Sequence, residues 1–207
     1  MPDIEKIRFI TVNYSRLQGL KAVPWGLLLF LIVLWSDAQT GPARDLTLPL
    51  ILLGAGMALY AAIDWYYKRT YGRVEPAGHA LFADVILSTG FSAVAIGAFV
   101  LDTRSIVPVN LFALVFAVSL VLDYYRMLHL AGVKRAAIFP VGLFCIIDIG
   151  LAAFLPLLGE SVWRGIGFRS PIFFVYAVIG IIIVIYGVAG HLYLVRSMPP
   201  PGEVDHG

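Results

Sequence analysis

Charge is what this sequence has least of. Only 14% of its 207 residues are Asp, Glu, Lys or Arg, 60% are hydrophobic, and the mean hydropathy is +0.88. A soluble domain carries about a quarter charged residues, so the composition is that of a polytopic membrane protein. The net charge is only +2, which gives nucleic acid no electrostatic footprint and turns the basic residues into topology signals. Cysteine is nearly absent as well. The single Cys145 excludes an intrachain disulfide and, inside an apolar run, reads as a small buried hydrophobe. Also missing are GxSxG, HExxH, His-x-x-x-His, any glycine-rich phosphate loop and any strand pattern. Cofactor and metal stay unassigned on these grounds, and catalysis has little support.

What is present is a series of apolar runs. Six spans are expected, at Val23–Trp35, Leu48–Tyr67, His79–Leu101, Ile106–Leu128, Ala136–Leu158 and Pro171–Val195. A bilayer core of about 30 Å needs about 20 helical residues, and every run but the first reaches that length. The first is expected to extend back through Leu20 or Leu17, with Trp35 at the far interface. The fold class is therefore all-α, a polytopic bundle of six transmembrane helices in three hairpins. In outline, residues 1–22 form an amphipathic interfacial segment, 23–195 the membrane domain and 196–207 a short tail.

Orientation follows from the basic residues. With the N-terminus in the cytoplasm, the outer loops hold only Arg44, Arg104, Arg164 and Arg169 of the 15 Lys and Arg. That asymmetry places both termini inside. The leading segment spaces Ile4, Ile7, Ile10, Tyr14, Leu17 and Leu20 along one helical face, interleaved with Lys6, Arg8, Arg16 and Lys21. It fits a surface anchor on the lipid bilayer or a docking helix for a membrane or cytosolic protein partner. The leader is too long, and its small-residue site too poor, for a cleaved signal peptide. Asn13-Tyr-Ser15 matches a glycosylation acceptor yet falls on the cytoplasmic side. Short loops and a retained N-terminus suit a bacterial cytoplasmic (inner) membrane.

Two runs end alike, in IDWYYK with Asp64 and in LVLDYYR with Asp123, and Pro24-Trp-Gly-Leu resembles Pro140-Val-Gly-Leu. These likenesses suggest parallel hairpin repeats, although the middle unit lacks the Pro-x-Gly-Leu and the third lacks the acid-aromatic ending. Ionisable side chains inside spans are expensive, so they mark candidate sites for a ligand or ion. Asp64, Asp84 and Asp123 fall near the inner rim with His191, and His79 and His129 flank it. Asp148 lies ten residues past Ile138, about 15 Å into its span and close to the bilayer midplane. Together these groups suit a cation, a proton relay or a divalent metal. Salt bridges to Lys68 and Arg126, at i+4 and i+3, account for Asp64 and Asp123 without function, and a hydrogen bond within the packing does so for Asp148. An aromatic belt accounts for Trp65, Tyr66, Tyr67, Tyr71, Tyr124 and Tyr125. Gly54 with Ala58, and Ala93 with Gly97, offer small faces for helix packing.

The function expected first is a non-enzymatic subunit of a membrane complex. An ion- or proton-coupled transporter using Asp148 stands next. A membrane enzyme acting on a lipid-linked substrate comes third.

Overall fold

The computed structural model describes residues 3–39, 47–72, 78–104, 108–132 and 140–197. Every regular element among them is helical. In chain order they are α1 (Asp3–Val12), α2 (Tyr14–Leu17), a 3₁₀ turn (Gly19–Lys21), α3 (Val23–Ala38), α4 (Thr47–Tyr71), α5 (Gly78–Thr103) and α6 (Leu111–Ala131). After these come α7 (Pro140–Ala152), a second 3₁₀ turn (Leu155–Leu158), α8 (Glu160–Gly165) and α9 (Pro171–Ser197). Five stretches are long and apolar enough to cross a membrane: Gly19–Ala38, Thr47–Tyr71, Val85–Thr103, Leu111–His129 and Pro171–Ser197. The chain has the character of an integral membrane protein.

These stretches match five of the six expected spans, and the first extends back to Gly19 through its 3₁₀ turn. The fourth begins later than Ile106. After Pro108 the chain turns at Asn110, whose side chain accepts the Ala113 N–H at 2.7 Å as an N-cap. The region of the fifth holds a shorter helix. α7 has 13 residues, about 20 Å of helix against the 30 Å of a bilayer core. Its stop has a local cause. Pro156 has no N–H to donate to the carbonyl four residues back, at Ala152, and its ring would clash with that carbonyl in a continuing helix, so α7 ends there and the chain tightens through Phe154 N–H to Leu151 O. The Ala153 carbonyl instead accepts the Asn110 N–H at 2.8 Å, tying the end of α7 to the start of α6.

α9 is the central helix. It packs on α3 and α7, α3 also carries α4, and α6 lies between α7 and α5. Of its span 39% is buried, against 6% for α4 and 11% for α5. The α3–α9 crossing is built on glycine. A Cβ on Gly26 would lie 2.7 Å from the Gly180 carbonyl oxygen, and one on Gly187 would lie 2.6 Å from that of Gly19. Such distances exclude any side chain and let the two backbones touch. Because Gly19 meets Gly187 while Gly26 meets Gly180, the helices run antiparallel. The start of α3 and the end of α9 therefore share one end of the bundle.

The leading segment folds onto that same end. Phe9, Ile10, Asn13, Tyr14, Leu17 and Gln18 are buried, and the apolar members share a cluster with Tyr67, Tyr124, Met127 and Leu194. The buried face is thus rotated from the expected one: Ile10, Tyr14 and Leu17 are inside, whereas Ile7 is 61% exposed. Within α1 it is Phe9, not Ile7, that shares the buried face with Ile10. The Ile4 side chain lies outside the described residues, as do those of His79 and Asp84; so do residues 136–139 of the fifth span and the tail beyond Ser197.

Candidate functional site

At the end of the bundle shared by the leading segment and the C-terminal turns of α4, α6 and α9, ionisable and aromatic side chains gather. Asp64 sits on α4, where the helix continues past the apolar run through Trp65, Tyr66 and Tyr67 to Tyr71. Its carboxylate receives Lys68 Nζ at 2.5 Å, one turn along, and Lys21 Nζ at 2.6 Å from the 3₁₀ turn. The first contact is the expected i+4 pair; the second joins α4 to the leading segment. Asp123 of α6 is held in the same way, by Arg16 Nε of α2 at 3.2 Å. Two aspartates on separate helices thus each take a cation from the same short segment. Neither pair is fully buried, so their role is chiefly to set register.

His191 of α9 lies behind this rim. Its Nδ1 is 2.9 Å from the hydroxyl of Tyr67, a side chain with no solvent exposure, and that hydroxyl also receives the Leu20 N–H at 3.4 Å. The Tyr66 and Tyr71 rings pack against Tyr67, and Lys21 Nζ lies 6.0 Å from its ring centre. α1 is anchored by Asn13, whose Nδ2 donates to Phe9 O at 3.0 Å and Met127 O at 2.9 Å. Burial raises the Tyr14 phenol above its ordinary value, outweighing the nearby Gln18 side chain. His129 is exposed and stacks on Tyr125.

Between α5 and α6 the same end opens into a groove of about 340 Å³. It is lined by Arg16, Asp123 and Arg126 with Ser88 and Ser119, and walled by Leu87, Phe91, Leu120 and Leu122.

Two buried aspartates at the opposite end were not foreseen. Asp102 accepts the Leu111 N–H at 2.8 Å, the Phe112 N–H at 2.9 Å and the Tyr176 hydroxyl at 3.4 Å. Asp37 accepts the Arg169 N–H on both oxygens at 3.1 Å. They satisfy backbone donors where α6 and α9 begin, which explains carboxylates there without a ligand. Asn110 carried a readable signal, as a capping residue just before an apolar run. Asp102 carried none, since it caps a helix other than its own.

Asp148 stands apart from both ends. It is half-buried on α7, flanked by the fully buried Cys145 and Ile149, which share the core with Ile179 and Ile182 in the middle of α9. Among the described residues it has no ion pair or hydrogen bond, and none of them form a group of three or more His, Cys, Asp or Glu able to hold a metal. The structure thus ties Asp64, Asp123 and His191 into the same end and, among the described residues, leaves the half-buried Asp148 outside it.

Compared with protein-family models, with curated proteins and with solved structures, the chain matches none.

Proposed function

We propose that the protein is a non-enzymatic subunit of a membrane complex, offering α4 and α5 to neighbouring helices. One observation carries this reading. The glycines of the α3–α9 crossing are closed against each other, whereas Gly54 on α4 and Gly97 on α5 have nothing within 4 Å. Both helices pack mainly on one neighbouring span, α4 on α3 and α5 on α6. Close approach at small residues is how helices associate in lipid, where apolar faces alone give little drive. The ionisable groups at the shared end support the same reading, since Asp64 and Asp123 are paired with cations of the chain itself.

In this proposal α7 completes a sixth crossing, giving three hairpins with both termini in the cytoplasm. Parity supports it: α3 and α9 are antiparallel, so an even number of crossings lies between the two ends of the chain. The concentration of Lys and Arg at the shared end supports a cytoplasmic face there. A bacterial inner membrane remains the proposed location.

The test is a cross-link. Cys145 is buried and inert, so Gly97→Cys supplies a unique reactive thiol on the outward face of α5. A reagent with one thiol-reactive and one photoreactive arm, applied in native membranes, should join it to a different polypeptide. Recovery of uncross-linked chain alone would sink the reading.

An ion- or proton-coupled carrier is the second reading, favoured by the solitary Asp148. Asp148→Asn should then abolish solute uptake into proteoliposomes, and unchanged uptake would remove it.

A further inference from the structure

We propose that the groove between α5 and α6 binds a membrane glycerophospholipid, with its phosphodiester on Arg16 and Arg126. Two guanidiniums on different elements converge on a cavity of about 340 Å³, within the size range of ligand sites, and the guanidinium fork matches phosphate oxygens. Asp123 holds Arg16 at 3.2 Å and so fixes one half of the clamp.

The order of residues along the groove selects an amphiphile over a free phosphate. Arg126 and Asp123 lie toward the end of α6, at the height of the aromatic rim, while Ser119 and Leu120 lie one to two turns deeper. On α5, which runs the opposite way, Phe91 is one turn deeper than Leu87. The charged end therefore sits at headgroup depth and the apolar walls descend toward the acyl region. Leu87 and Leu122, 38% and 43% exposed, leave the side of the groove open to the bilayer. The Ser88 and Ser119 hydroxyls donate to Val85 O and Phe116 O of their own helices. Their oxygens are then acceptors toward the groove. This suits a headgroup with donors of its own, an ammonium or hydroxyls beside the phosphate.

The test is a titration of delipidated protein with phosphatidylethanolamine, read as the rise in thermal unfolding midpoint. The wild-type midpoint should rise. Diacylglycerol, which lacks the phosphate, and soluble glycerophosphoethanolamine, which lacks the chains, should leave it unmoved. Arg126→Gln should shift the response to about tenfold higher lipid, the size of one charged hydrogen bond. Ser119→Leu, which fills the groove and leaves every charge in place, should abolish it and serves if the arginine variant fails to fold. Lys68→Gln, on α4, should respond as wild type. An equal response from Ser119→Leu and wild type would overturn the site. An equal response to the soluble headgroup would overturn the lipid as its source, and one to diacylglycerol would overturn the role of the phosphate.

Discussion

Gly19 and Gly187 touch backbone to backbone, so that a Cβ on Gly19 would collide with the carbonyl of Gly187. Seven residues further along the first span and seven back along α9, Gly26 and Gly180 repeat the contact. On α9 two helical turns separate Gly180 from Gly187, which keeps them on one face, and the first span matches that spacing through its 3₁₀ turn. The crossing holds the first and last spans together and positions the end of the bundle on which the leading segment rests.

Alanine substitution should separate these glycines from the outward ones. Gly26→Ala puts a methyl against backbone, which cannot yield, and should cost at least about 1–3 kcal/mol. Gly54→Ala and Gly97→Ala place theirs in open space and, as alanine is the better helix former, should cost nothing. Thermal unfolding in nanodiscs compares the three, and equal losses would count against the crossing.

The two lysines on Asp64 should contribute unequally. Lys68 is 54% exposed and Lys21 only 23%. Lys68→Ala should fall within about 0.5 kcal/mol of wild type, as exposed i,i+4 pairs do. Lys21→Ala should cost about 1.5 kcal/mol, because it removes a charged hydrogen bond that also ties the leading segment to α4. A double-mutant cycle with Asp64→Ala checks the order. A larger coupling for Lys68 would contradict it.

Much of the architecture was legible because hydropathy is a long-range average that local accidents do not erase. The ends of α4, α5 and α9 fall within a few residues of their expected places. The early stop of α7 was also written in the chain, at Pro156, but an unbroken apolar run masked it. The glycine crossing was harder. Gly54 and Gly97 satisfy a short packing pattern yet touch nothing, while Gly19, Gly26, Gly180 and Gly187 act through a spacing of seven across two distant segments. At the candidate site, the i+4 pairing of Asp64 with Lys68 was readable from local geometry. The partners Lys21 and Arg16 were not, because they depend on how the leading segment folds back.

Asn13 should be the residue on which α1 depends. Its buried amide bridges Phe9 O and Met127 O, and Asn13→Ala leaves the Met127 carbonyl without that donor, at a cost of about 1–3 kcal/mol. Hydrogen exchange over residues 5–18 should quicken while the core of α9 stays protected. Unchanged exchange in α1 would show that the bridge does not anchor it.

Asp102 should behave as a cap rather than as a ligand. Asp102→Ala should cost about 1–2 kcal/mol, with Asp102→Asn recovering part of it, since asparagine also accepts backbone N–H groups. The loss should appear as faster exchange at Leu111 and Phe112. Equal damage from the two variants would point to a need for the charge itself.

The most direct test of the subunit reading is the native mass of the protein extracted gently with its own lipids. A mass exceeding the 22.6 kDa chain and its simple multiples by that of another polypeptide is the expected result, and it would identify the partner. A mass equal to the chain alone, or to a simple multiple of it with only lipid added, would contradict the reading and turn attention to Asp148.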